Sequence, residues 1–273
     1  MESSYPWRSV LITGASSGIG RALAEAVAVP GVTLHLSGRD AARLGEAEAS
    51  CAGRGAAVRP QVLDVRDQEA MRVWIASAGP LDLVIANAGV SAGIGGGVER
   101  AAQARAVFDT NVGGVLNTVL PALDAMAAQP PGPEGLRGRV AVIASVAAFT
   151  GVAGAPSYCA SKAAVQSWAE ALDAAERRRG IRLHAVCPGY VRTAMTLGNR
   201  FPMPMVISAE DAARPCGRGC WTCATERPCG TGSRRPARST SSSPTPASRP
   251  ARAAGSSRPP RPARCSTPTS AAC

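Results

Sequence analysis

Residues 9–20 read Ser9-Val10-Leu11-Ile12-Thr13-Gly14-Ala15-Ser16-Ser17-Gly18-Ile19-Gly20, and this stretch decides the fold. Its first five residues are a short apolar run stopped by glycine, the pattern of a strand buried in a parallel sheet. A helical pattern follows over residues 21–28. A glycine turn between strand and helix suits an anion: the backbone turns tightly and approaches it closely. The new helix adds free N–H groups and the positive end of its dipole, the arrangement that holds a pyrophosphate. Three glycines in this context outweigh the alternative of a plain connection.

The same alternation extends outward. Residues 32–37, 58–65, 81–86, 139–145 and 182–187 predict five further strands. Helical patterns at 40–52, 67–76, 101–128 and 158–179 lie between them, the last stopped by Gly180. Gly93 to Gly97 reads as a flexible loop and 130–138 as a breaker-rich one. Connections of this length make right-handed crossovers, so the expected fold class is α/β, a doubly wound parallel sheet of Rossmann type in a single domain.

The end of the second strand bears on the ligand. A carboxylate there would bond the ribose hydroxyls of NAD. The chain has Ser37-Gly38-Arg39 instead, and Arg39 is placed to receive the 2′-phosphate of NADP, with Asp40 beside it able to blunt the charge. NADP(H) is therefore the expected cofactor and NAD the alternative. His35, inside the strand, reads as structural.

Ser157-Tyr158-Cys159-Ala160-Ser161-Lys162 holds the only lysine among 30 basic residues. A composition this biased towards arginine keeps a lysine where an ammonium is needed, because the two cations differ in shape and in their ability to lose a proton. Tyr158 and Lys162 are four apart and share a helix face, so phenol and ammonium can enter one pocket. A nearby cation favours the phenolate and pulls a tyrosine pKa down from about 10. A phenol tuned in that way can give a proton to a carbonyl or take one from an alcohol. Cys159 should face elsewhere as a small packing residue, and Cys187 is expected to be buried at the end of the sixth strand.

With these motifs in order, residues 10–193 resemble the short-chain dehydrogenase/reductase family, in its compact single-domain branch. Thr13-Gly14-x-x-x-Gly18-Ile19-Gly20, with Ser16 and Ser17 inside it, is similar to the family's cofactor loop. The resemblance sets Asp64 and Val65 beside adenine. Asn87-Ala88-Gly89 matches the motif after the fourth strand, with Ala86 where the family more often has Asn. Pro188, Gly189, Val191 and Thr193 match the segment lying against the nicotinamide. Asn111, Ser145, Tyr158 and Lys162 fall on the catalytic tetrad.

The resemblance implies an oxidoreductase moving hydride between NADP(H) and a small carbonyl or secondary-alcohol substrate. Tyr158 would be the acid or base and Ser145 the donor to the substrate oxygen. Lys162 would lower the Tyr158 pKa and bind the nicotinamide ribose, and Asn111 would hold a water linking Lys162 to solvent. A homo-oligomer follows only from the same analogy.

The charge is unevenly distributed. The chain carries 30 basic and 19 acidic residues, a net charge of +11. Eleven arginines and a single acid, Glu226, lie from Arg214 onward, leaving 19 basic and 18 acidic residues before it. The excess belongs to the tail, so nucleic-acid binding by the catalytic part is not expected. Residues 1–8 lack a basic region followed by an apolar core, and no run of apolar residues is long enough to span a membrane. A soluble cytoplasmic protein with reduced thiols is expected.

Residues 1–213 are thus expected to form the dinucleotide-binding catalytic domain. From 214 to 273 the chain loses Ile, Leu, Val, Met, Phe and Tyr entirely and becomes rich in Arg, Pro and Ser. Such a segment cannot bury enough apolar surface to offset its ordering entropy, so a disordered tail is expected in place of the family's last helix and strand. An abrupt change of this kind, in a GC-rich coding style, suggests an out-of-frame translation. Cys216, Cys220, Cys223 and Cys229 are irregularly spaced with no nearby His, so no metal is expected. The competing functional reading is a non-catalytic dinucleotide-binding protein whose basic tail contacts an acidic partner.

Overall fold

The computed structural model describes residues 7–91, 98–132, 135–197 and 203–214. The Gly93–Gly97 loop, the middle of the 195–207 segment and everything from Pro215, including the expected tail and its cysteines, lie outside the described residues. Strands β1 (Ser9–Thr13), β2 (Thr33–Gly38), β3 (Ala57–Val62), β4 (Leu83–Ala86), β5 (Gly138–Ile143) and β6 (Ile181–Val186) form one sheet in the order β3-β2-β1-β4-β5-β6. Every neighbouring pair is parallel. Helices α1 (Gly18–Val27), α2 (Ala41–Gly53), α3 (Gln68–Ser77), α4 (Ala101–Phe108), α5 (Gly114–Ala128) and α6 (Pro156–Glu176) make the crossovers. The doubly wound architecture expected from the sequence is present.

The period of two along the central strands builds two cores. Val10, Ile12, Leu83, Ile85, Ala141 and Ile143 face one side, packing with Leu23 and Val27 of α1 and Leu44 of α2. Leu11, Val84, Ala86, Val140 and Val142 face the other, with residues of α3, α5 and α6. Full burial of a side chain the size of Leu or Ile contributes about 1.5–3 kcal/mol, and both faces of β1 receive it. The strand order reverses between β1 and β4, which opens a crevice at their carboxyl ends.

Three local departures from the sequence reading have physical causes. The expected helix over 101–128 is broken by a π-helical turn, Asp109–Gly113, between α4 and α5. The turn carries Asn111, and close by Gly114 leaves room for Val65, whose Cγ2 would lie 2.5 Å from a Cβ there. The third strand ends at Val62, so Leu63, Asp64 and Val65 leave the sheet and reach the crevice. Cys187 lies one residue beyond β6 and is only partly buried, whereas Cys159 is buried as expected. The sequence reading also passed over β7 (Val191–Arg192) and β8 (Ile207–Ser208), a two-residue parallel pair. Ser208 then caps α7 (Ala209–Ala212).

His184 on β6 is 4% exposed, and neither ring nitrogen has a hydrogen-bond partner. Burial holds its pKa below the ordinary 6.5, with Arg182 reinforcing and Asp173 opposing the shift. His35 is depressed in the same direction by burial and Arg59. The unfolded chain therefore binds these protons more readily, and stability rises with pH. Their contribution is complete above 6.5 and is lost as pH falls from there through the folded values. The melting temperature should drop between pH 7.5 and 5.5, and His184→Leu should flatten that slope. An equal slope in the variant would contradict this account.

Candidate active site

The cradle forms where β1 meets β4. Thr13 Oγ1 accepts from the backbone N–H groups of Asn87 (3.1 Å) and Ala88 (3.2 Å). Asn87 Nδ2 donates to the carbonyls of Thr13 (2.9 Å) and Gly14 (3.2 Å). Gly14 has φ +66°, and a Cβ there would stand 2.9 Å from Ala88 Cα. A Cβ at Gly20 would lie 2.3 Å from the Gly14 carbonyl oxygen, so this glycine serves packing beneath the turn. α1 starts at Gly18 with no side-chain cap from Ser17 and no acid in its first turn. Its free N–H groups and positive dipole end therefore remain available to an anion.

A cleft of about 250 Å³ runs from this turn along the strand ends. Gly14, Ser16, Ser17, Gly18, Ile19, Arg39, Asp64, Val65, Asn87, Ala88 and Gly89 line it, as do Ser145, Tyr158, Lys162, Pro188, Gly189, Val191 and Thr193. Of the residues singled out from the sequence, Gly20 and Asn111 are not on the wall. Leu63, Val90, Thr110 and Ala144 also line it and were missed, although each lies next to a recognised position.

Arg39 is exposed and has no ion-pair contact within 4.0 Å to a described residue, although its charge helps to lower the Asp64 carboxyl. Asp40, beside Arg39, caps α2 through Arg43 N (3.0 Å) and pairs with the Arg43 guanidinium (2.9 Å). Asp64 is held by Arg66 at 2.6 Å, and the contact keeps its carboxyl below the usual range. An uncapped helix start, a turn with no room for a side chain at Gly14 or Gly20 and an exposed arginine together fit a phosphate-bearing dinucleotide.

Ser145 leaves β5 in an extended conformation and caps a 3₁₀ turn, its Oγ accepting from Ala147 N at 3.1 Å. Its side chain lines the same cleft as Tyr158. Burial raises the Tyr158 pKa above 10.0, and the nearby Ser145 hydroxyl opposes that rise. Lys162 Nζ stands 5.9 Å from the Tyr158 ring centre and donates to the Ile143 carbonyl at 2.7 Å. Lys162 is buried, and desolvation pulls its pKa down to about 8. The expected lowering of the phenol pKa by Lys162 is thus absent here: burial dominates at Tyr158, and the ammonium is bonded to the end of β5.

Asn111 is fully buried. Its Oδ1 accepts from Val90 N at 2.8 Å, and its Nδ2 donates to Val90 O and Ser161 Oγ, both at 3.0 Å. A Cβ on Gly89 would lie 3.2 Å from Asn111 Oδ1 and 3.4 Å from Lys162 Nζ. Asn111 therefore sits behind the wall, next to Lys162, and holds the chain after β4 against α6.

Residues 8–201 match the short chain dehydrogenase family. The chain belongs to this family. Its members are oxidoreductases, and the doubly wound sheet and glycine turn are those of their NAD(P)-binding fold. An oxidoreductase of Myxococcus xanthus, itself uncharacterized, is 37% identical over 80% of this chain and 85% of its own. A solved dehydrogenase from Beutenbergia cavernae, with NADP bound at low occupancy, superposes with a TM-score of 0.67 at 28% identity, covering 76% of this chain and 86% of that one. A short chain dehydrogenase from Mycobacterium paratuberculosis bound to NAD gives a TM-score of 0.66 at 27% identity, covering 76% and 88%. Among the described residues of this dehydrogenase, no helix is long and apolar enough to cross a membrane.

Proposed function

We propose that this dehydrogenase transfers hydride between NADP(H) and a carbonyl or secondary alcohol, with Tyr158 as acid and base. The observation that carries the reading is the convergence of Ser145, Tyr158 and Lys162 on the cleft that begins at the glycine turn. The bound nicotinamide would supply the hydride. Tyr158 Oη would give its proton to the substrate oxygen during reduction and receive it back in oxidation. Ser145 Oγ, on the same cleft wall as Tyr158, would donate to the same oxygen as negative charge develops there. Lys162, a buried cation beside the phenol, would turn from the Ile143 carbonyl to the nicotinamide ribose. Gly14, Gly18 and the start of α1 would hold the pyrophosphate, and Pro188 to Thr193 would lie along the nicotinamide.

The exposed Arg39 favours NADP over NAD. Its guanidinium can form charge-assisted hydrogen bonds with a 2′-phosphate. Arg39→Glu should raise the KM for NADPH by roughly 100-fold, since an ionic hydrogen bond contributes about 1.5–3 kcal/mol and the reversal adds repulsion. The KM for NADH should change by less than about threefold. Equal effects on the two cofactors would remove Arg39 from phosphate recognition.

The reading is tested by following NADPH and NADH oxidation at 340 nm against a panel of aliphatic, cyclic and aromatic ketones and aldehydes. Turnover with at least one carbonyl, faster with NADPH, is expected. Tight dinucleotide binding without turnover on any panel member would favour the non-catalytic reading instead.

A further inference from the structure

A polar contact at the start of α6 is not used by the chemistry above. α6 carries Tyr158 and Lys162, yet its N-cap, Ala155, has no side chain able to cap it, and Pro156 at the first helical position has no N–H. The first free backbone donor is therefore Ser157, one residue before Tyr158. Glu99 takes it: Oε2 accepts from Ser157 N at 3.2 Å. Glu99 Oε1 accepts from the Ser157 hydroxyl in a second, short contact. Ser157 is buried, and Glu99 is half-buried just ahead of α4, which packs on α6. On the far side of Tyr158, its carbonyl accepts from Ser161 Oγ at 2.8 Å, and that oxygen in turn accepts from Asn111 Nδ2 at 3.0 Å.

We propose that Glu99 is a positioning residue: it fastens the first turn of α6 and thereby fixes where the Tyr158 phenol stands in the cleft. The proposal rests on the acid–base reading of Tyr158. An ionised carboxylate makes both contacts stronger than neutral bonds and complements the positive end of the helix dipole. Val90, through Asn111, and Glu99, through Ser157, are both tied to groups that hold α6. Proton transfer depends steeply on placement, and a misplacement of about 1 Å can cost roughly 100-fold in rate.

The test compares the parent with Glu99→Ala and Glu99→Gln, reading kcat, KM for NADPH and amide hydrogen exchange over residues 157–159. Glu99→Ala should lower kcat about tenfold, leave the KM for NADPH within about twofold, and speed the exchange. Glu99→Gln should recover most of kcat, because its amide can accept from Ser157 N and donate to Ser157 Oγ. Parental kcat or unchanged exchange in Glu99→Ala would overturn the proposal, as would a Gln variant impaired as deeply as Ala. If Glu99→Ala does not fold, Ser157→Ala removes one of the two contacts from the other side. It should lower kcat about threefold with faster exchange, and parental values for both would overturn the proposal. A parent without turnover on any carbonyl would defeat the reductase reading, and with it the catalytic part of the proposal; the exchange comparison would still decide whether Glu99 fastens the helix.

Discussion

Tyr158→Phe should lower kcat by roughly 10³-fold, within the range general acid–base groups contribute. NADPH affinity should stay within about twofold of the parent. The phenol lines the cleft together with Ser145 and can pass a proton to a carbonyl oxygen. Phenylalanine keeps the ring and its packing on α6 and removes only the hydroxyl. Burial holds the phenol pKa above 10.0, so Tyr158 is protonated at neutral pH and ready to act as an acid in reduction. Ser145→Ala should give a smaller loss, since it removes one donor to the developing alkoxide but leaves the proton source. Kinetics with saturating NADPH, paired with a fluorescence titration of cofactor binding, separate the two roles. Turnover by Tyr158→Phe within tenfold of the parent would assign the proton to another group.

Lys162→Met should lower kcat about 100-fold and change the pH profile. Desolvation holds Lys162 near 8, so the cation is present below that pH and is lost above it. In the parent, kcat/KM for NADPH should therefore fall about tenfold per pH unit above 8, because this parameter reports groups of the free enzyme. Neither neighbouring acid titrates in that window: the phenol of Tyr158 lies above 10.0 and burial pushes the Cys187 thiol above 9.0. The methionine variant should lack this limb. A limb that persists in Lys162→Met would place the titrating group elsewhere. Arginine is a poor substitute, since the larger fork would have to fit a site 4% exposed and built around a single bond to Ile143 O.

The most legible parts of the sequence were those in which neighbours in the chain do the work. The run from Ser9 to Gly20 specifies its own strand, turn and helix start. The lone lysine four residues after Tyr158 pointed to one helix face, and both side chains reach the cleft. What escaped depends on partners far apart in sequence. Asn111 lies in a uniformly helical pattern, and nothing local reveals that it bonds Val90 and Ser161 from a π-helical turn. The Tyr158 pKa follows spacing in the sequence but burial in the fold, and burial dominates. Glu99 meets Ser157 across 58 residues and follows a glycine loop that carries no pairing signal. The commitment of Asp40 to Arg43 could have been read, since an Asp three residues before an Arg at a helix start is an N-cap pattern.

A thermal-melt titration of the full chain with NADPH and NADH in parallel tests the central claim most directly. A ligand that binds only the folded state stabilises it by about 2.7 kcal/mol at 100 times its Kd, which is a rise of about 5–10 °C for a domain of this size. The account predicts one cooperative transition that moves upward by about this amount with NADPH and by clearly less with NADH at equal concentration. A transition that neither dinucleotide moves would contradict the cofactor site, and one moved further by NADH would contradict the role given to Arg39.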